Sequence, residues 1–209
     1  MTDQALIVER GQSVSRVLRE RTAEHHTRAE RSEFQRRLVS GRLPRPLYVA
    51  WLRQLLAVYQ TLETLRGSGP LGPILTDSRR RASQLQRDLE DLGATPTTDG
   101  LVAATRAFVA QLHRWAKTDP VALIGVLYVL EGSTNGGRYI ARALRHAYGL
   151  SDGRGLTALD PYGEHQPEAW RGFKADLDAS VSPDQLPHLA EAAQQTFDAV
   201  TEMGKEIAS

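Results

Sequence analysis

Apolar residues recur at intervals of three and four along most of this chain, and short stretches rich in Gly and Pro interrupt them. In PRPLYVAWLRQLLAVYQTLETLR, Leu52, Leu55, Leu56 and Tyr59 share one helical face, and Pro46 suits the first turn. The preceding segment, about residues 13–40, carries an apolar stripe through Val14, Leu18, His25 and Ala29; it predicts one helix with Gly41 as its stop. GSGPLGP marks a turn. A more polar helix is predicted over ILTDSRRRASQLQRDLEDLG, residues 74–93, and another over residues 101–116. Asp119-Pro120 opens a long apolar helix that reaches Tyr148. SDGRGLTALDPYGEHQP is the longest irregular stretch, and helices at about 168–180 and 183–207 close the chain. No convincing run of strands and no internal repeat interrupts this order. The pattern predicts an all-α fold in a single domain spanning residues 1–209, with residues 1–12 as a flexible N-terminus.

One segment defies its own helical pattern. LYVLEGSTNGGRYIARAL, residues 127–144, places Gly132, Gly136 and Gly137 inside an apolar helix, where each costs roughly 1 kcal/mol relative to Ala. Gly132 and Gly136 are four apart and share a face. Two readings stand at this level. Either the helix continues and its bare face brings the backbone close to something flat, bending as it does so, or it ends near Glu131 and restarts after Gly137.

Charge and composition narrow the chemistry. With 26 Lys and Arg against 25 Asp and Glu, nothing argues for a nucleic-acid or anionic-membrane partner. The absence of cysteine excludes disulfides, thiolate zinc sites, iron–sulfur ligation and cysteine nucleophiles. MTDQALIVERGQS shows no basic region followed by an apolar run, and no window is apolar enough to span a bilayer. The expectation is a cytoplasmic protein.

Histidines are the remaining candidates. His25 and His26 are adjacent on a helix and point about 100° apart, so they serve different purposes. His25 lies on the apolar stripe, whereas His26 projects with Arg19, Thr22 and Glu30 on a more polar strip. Spacing alone makes His25 the packed histidine and His26 the surface one. His113, His146, His165 and His188 have no partner at ligand spacing, and Ser133 lacks the strand–turn–helix setting of a hydrolase nucleophile. A di-iron site would require Glu-x-x-His pairs on two helices, which are absent.

Two separated segments resemble one family, the haem oxygenases. LRERTAEHHTRAERSEFQRRLVSG, residues 18–41, is similar to that family's proximal helix, with Leu18, Arg19, Thr22, Glu24, His26-Thr27, Ala29-Glu30 and Glu33-Phe34 matching without a gap. LEGSTNGG, residues 130–137, resembles its glycine-rich distal helix. The resemblance implies an all-α bundle with haem held between a proximal and a kinked distal helix. It implies that His26, rather than His25, is the axial ligand to haem iron. Ala29 and Glu30 would then lie beside the haem, and Gly132, Gly136 and Gly137 would give the distal helix clearance over its face. Arg19 and Lys174 match basic positions that meet the propionates. Haem b is both cofactor and substrate in this family, cleaved at a meso carbon to biliverdin, carbon monoxide and ferrous iron. Electrons come from a ferredoxin or reductase, and a bacterial phytochrome is an implied acceptor of biliverdin.

The chain departs from the family at two positions. Ser133 stands where well-studied members carry an aspartate that holds water against bound oxygen; a hydroxyl is shorter and uncharged. Some bacterial relatives associated with phytochrome chromophore supply share an EGS-type motif, so a catalytic role for Gly132, Ser133 and Gly136 is retained as the expectation. Leu127 replaces a propionate-contacting tyrosine, and Tyr128, one residue on, points elsewhere on an ideal helix. The alternatives are a non-catalytic haem-binding protein on the same fold and, more distantly, a haem-free enzyme of the fold's thiaminase-related branch. RRLVSGRLPR is a candidate docking patch for a reductase, or a solvated helix end.

Overall fold

A computed structural model of the chain describes residues 13–150 and 153–209, so the flexible N-terminus expected at residues 1–12 lies outside the described residues. Among the described residues the α-helices are α1 (Val14–Glu30), α2 (Glu33–Val39), α3 (Arg45–Thr64), α4 (Leu71–Ile74), α5 (Ala82–Asp91), α6 (Ala103–Thr118), α7 (Ala122–Tyr148), α8 (Gln166–Ser180) and α9 (Leu186–Ala208). No strand occurs among them.

Side chains set the helix starts where periodicity could not. The helix predicted over residues 13–40 is two helices, because the Ser32 hydroxyl accepts the Gln35 N–H at 3.2 Å and begins α2 anew. The break turns Phe34 and Leu38 into the core, and Phe34 packs where a side chain on Gly204 of α9 would otherwise sit. The helix predicted over residues 74–93 is likewise divided. Arg79 donates to the Ile74 carbonyl at 2.7 Å, and a 3-10 turn at Asp77–Arg79 intervenes. The Glu63 carboxylate, from the end of α3, then accepts the Arg81 and Ala82 N–H groups at 2.8 Å each and starts α5. Gln54 of α3 similarly accepts from the Val102 N–H at 3.1 Å and the Thr105 hydroxyl at 2.8 Å, fixing the start of α6.

Helix α7 runs unbroken through its glycines, so it does not end near Glu131 and restart after Gly137. Its first half, from Ala122 to Leu130, is buried throughout. It crosses α9 so closely that a Cβ on Gly125 would come within 2.3 Å of the Leu189 carbonyl oxygen. Helix α9 is the hub of the bundle, packed against α1, α2, α3, α6 and α7. Leu18, Leu52, Leu56, Leu123, Ile124, Phe173 and Leu189 fill the space between these helices. Both α1 and α7 rest mainly on α8 and α9 instead of on each other. The irregular segment after α7 is pinned to α5. The buried Asp88 carboxylate accepts the Thr157 N–H at 2.9 Å, the Thr157 hydroxyl at 2.8 Å and the Ala158 N–H at 2.7 Å.

Candidate functional site

On α1, Arg19, Thr22, His26 and Glu30 form one strip, as their spacing predicts. The His26 side chain is 53% exposed, against 23% for His25. Its ring meets Phe197 of α9 edge-on at 5.4 Å, and Nδ1 lies 3.5 Å from a Glu30 carboxylate oxygen. His25 has a different setting. Its Nδ1 lies 3.0 Å from Asp198, which also pairs with Arg28. Ala29, between the two faces, is half-buried.

On the α7 side the glycines divide. A Cβ on Gly136 would meet nothing within 4 Å, and one on Gly132 would meet only the Trp170 ring, at 3.6 Å. These two leave bare backbone on their face of α7. Gly137, also expected at a ligand, is turned the other way: a Cβ there would fall 1.8 Å from the Leu159 carbonyl oxygen, so its smallness admits the neighbouring segment. Ser133 is exposed and donates to the Leu130 carbonyl at 2.7 Å, which leaves its lone pairs to accept. Asn135 donates to the Gly132 carbonyl at 2.9 Å.

Aromatic and cationic groups gather where α1, α7 and α8 meet. The nearly buried Tyr128 phenol lies beside Thr22 and near Arg19. Burial raises its pKa above the usual 10, and Thr22 and the Arg19 charge act in the opposite direction. The Tyr128 ring approaches Trp170 at 6.0 Å, Trp170 stacks on Phe173 at 5.4 Å, and Lys174 Nζ sits 6.0 Å from the Trp170 ring. Arg19 and Lys174 therefore flank one aromatic edge that also borders Gly132. Leu127 is fully buried in the core.

Sequence reasoning set Tyr128 aside because it considered α7 alone; the position of α1 brings Thr22 and Arg19 to its hydroxyl. It also passed over Trp170 and Phe197, for which no local pattern offered a signal, and a polar cluster behind α7. There the buried Glu131 carboxylate lies 3.5 Å from the Arg81 guanidinium and accepts from the Tyr162 hydroxyl at 2.5 Å. Burial pushes the pKa of Glu131 up against the pull of Arg81.

A groove of about 1000 Å³ between α1 and α9 is lined by Glu24, Arg28, Arg31, Asp198, Glu202 and Lys205 among others, and neither His26 nor Gly132 borders it. Its charges are largely paired, Arg28 with Asp198 and Lys205 with Glu202. Among the described residues no helix is long and apolar enough to cross a membrane, and no three His, Asp or Glu side chains gather to hold a metal ion.

Comparison with known proteins gives a consistent picture. The family model described as Heme oxygenase matches residues 12–206. Heme oxygenase 1 of Pongo abelii is 28% identical over 156 residues, which are 70% of this chain and 54% of that protein. The chain thus spans about half the length of that relative. The solved structure of heme oxygenase from Leptospira interrogans superimposes with a TM-score of 0.85 at 24% identity, covering 93% of this chain and all of that one. Heme oxygenase-2 from Synechocystis, solved in complex with heme and NO, gives the same TM-score at 20% identity over 94% of this chain and 85% of its own. At these identities the two structures establish the fold.

Proposed function

The chain belongs to the haem oxygenase family, and from that premise we propose that it binds haem between α1 and α7 and converts it to biliverdin, carbon monoxide and ferrous iron. The observation that carries the reading is the pairing of a half-exposed imidazole on α1 with side-chain-free backbone on α7. Room on the α7 side supports it: a Cβ on Gly136 would meet nothing within 4 Å, and one on Gly132 only the Trp170 ring. When bound, haem supplies the redox-active iron and is itself the molecule oxidised by O2 with external electrons.

The protein's residues then divide the work of holding it. His26 would ligate the iron through Nε2, because the Glu30 carboxylate beside Nδ1 favours the tautomer that leaves Nε2 unprotonated. The small Ala29 leaves room beside it. Arg19 and Lys174, at the aromatic edge, would pair with the two propionates, with the Tyr128 hydroxyl as a third contact. Gly132 and Gly136 would let the α7 backbone approach the opposite face and restrict where oxygen can lie. Ser133, its proton given to Leu130, is left as an acceptor able to orient a water. A ferredoxin or reductase would supply electrons in the cytoplasm, and an acceptor such as a bacterial phytochrome would take the biliverdin.

A second reading, a haem-binding protein without turnover, is favoured by the same Ser133 geometry, since a hydroxyl donating within its own helix has no proton to offer a ligand. Absorbance of the protein with one equivalent of haemin, followed through addition of a reductant in air, separates the two. A Soret band that is lost as biliverdin's broad red absorption rises supports the oxygenase. A persistent Soret band supports the second reading, and no specific uptake overturns both.

A further inference from the structure

The glycine face of α7 has almost nothing in front of it, yet it has to stand at a set height if it is to cover a flat ligand. Two mid-helix glycines weaken the helix locally, and in front of them stands only the Trp170 ring, beside Gly132. The constraint has to come from behind. On that side, successive turns of α7 are fastened to the segment leading into α8. Glu131 accepts the Tyr162 hydroxyl at 2.5 Å. The Thr134 hydroxyl oxygen and the Asn135 amide oxygen accept from one Gln166 nitrogen at 2.9 and 3.2 Å. The Leu159 carbonyl fills the space that Gly137 leaves.

Arg81, the residue just before α5, locks this seam. Its guanidinium is 1% exposed, lies 3.5 Å from the Glu131 carboxylate and 4.7 Å from the centre of the Tyr162 ring, and donates to the Ser78 and Arg80 carbonyls at 2.7 and 3.0 Å. Its Nε and Nη2 are buried without a hydrogen-bond partner. A buried ion pair of this kind adds little net stability over apolar packing, and its attested use is to fix a register.

We propose that Arg81, Glu131, Tyr162 and Gln166 form a clamp that sets the height of Gly132 and Gly136 over the ligand, and so selects which edge of the haem is oxidised. These are positioning residues: they act through the α7 backbone and touch no ligand themselves. The selection of an edge rests on the oxygenase reading above; the clamping of α7 does not.

The test compares Tyr162→Phe, which removes only the hydroxyl and keeps the ring on Arg81, and Gln166→Met with a control, Tyr48→Phe. Tyr48 is a buried tyrosine whose hydroxyl bonds the Gly155 carbonyl, a bond that involves no clamp residue. Amide hydrogen exchange of the ligand-free proteins is measured first. Both clamp variants should exchange about tenfold faster over residues 131–137, the scale of one lost hydrogen bond, and the control should match the parent there. Haem complexes should keep the parent's Soret position, while the ratio of biliverdin isomers shifts in the clamp variants alone. Unchanged exchange over residues 131–137 overturns the clamp, as does an equal change in the control. Faster exchange with an unchanged isomer ratio overturns the selection of an edge. If the parent itself forms no biliverdin, the oxygenase reading falls, the selection of an edge falls with it, and the exchange comparison decides the clamp.

Discussion

Helix α1 brings side chains to the proposed site, whereas the central part of α7 would bring bare backbone. The difference runs through everything that supports them. Arg19, His26 and Glu30 are exposed residues on a helix whose opposite face is packed by Val14, Val17 and Leu18, so the strip could be rewritten without disturbing the core. In the proposed site Gly132 and Gly136 would contribute by what they lack, and a helix that lacks side chains on one face has to be held by the other. That other face carries Glu131, Thr134 and Gly137, each engaged by residues distant in sequence. Function placed on side chains is separable from stability. Function placed on backbone clearance is bound to it.

The two largest expected effects would break this contrast if they failed to diverge. His26→Ala should abolish iron–nitrogen ligation and nearly all turnover, seen as loss of the parent's Soret spectrum. Its stability should change by no more than about 0.5 kcal/mol, because the ring is exposed and its principal packing contact is the edge of Phe197. Arg81→Ala should do the reverse at first order. It leaves the Glu131 carboxylate buried without its cation and should cost about 3–5 kcal/mol in denaturant unfolding. A strongly destabilised His26→Ala, or a fully stable Arg81→Ala, would show that the two sides are not supported differently.

The glycines sharpen the contrast within α7 alone. Gly137→Ala drives a methyl group into the Leu159 carbonyl and should destabilise the protein by about 1–3 kcal/mol, as overpacking does. Gly136→Ala meets open space and should stabilise the ligand-free protein by roughly 1 kcal/mol through helix propensity, while weakening haem binding by occupying the proposed site. Thermal melts of the two ligand-free variants should therefore move in opposite directions. Haemin titration of Gly136→Ala then tests whether its face is the ligand's; unchanged affinity would remove Gly136 from the site.

How much of this was legible beforehand follows the same division. Periodicity located α3, α6 and α7 to within a few residues and carried α7 through its glycines as one of two readings. It could not foresee the break at Ser32, because capping by a hydroxyl competes with helix continuation on nearly equal terms and core packing of Phe34 decides it. It could not foresee the start of α5, which depends on a carboxylate at the end of α3. In the candidate site, the exposure of His26 on its polar strip and the shared face of Gly132 and Gly136 were legible because each follows from helical spacing. Tyr128 was not, since its neighbours Thr22 and Arg19 come from another helix. Glu131, Arg81 and Tyr162 were not either: as separate letters they read as ordinary charges and a loop tyrosine, and only the fold makes them one cluster.

The smallest expected effect concerns the scaffold behind α7 and its response to acid. Burial raises Asp88 above its ordinary value of 3.8, outweighing the bonds it accepts from Thr157 and Ala158, and Glu131 is raised in the same direction. A carboxyl with a raised folded-state pKa holds its proton where the unfolded chain has already released it. Its contribution to stability is therefore complete below the unfolded pKa and is lost as pH climbs through the folded one. Melting temperature should accordingly fall as pH rises from about 4 through that window, against the usual trend for exposed, paired carboxylates. Asp88→Asn should flatten this slope whatever it does to the absolute melting temperature, because an amide has no proton to release there. The slope is the readout, for it isolates ionisation of the anchor from loss of its hydrogen bonds. A slope that is the same in both proteins would mean that the Asp88 anchor titrates as it does in the unfolded chain, and that burial behind α7 is less complete than its 0% exposure indicates.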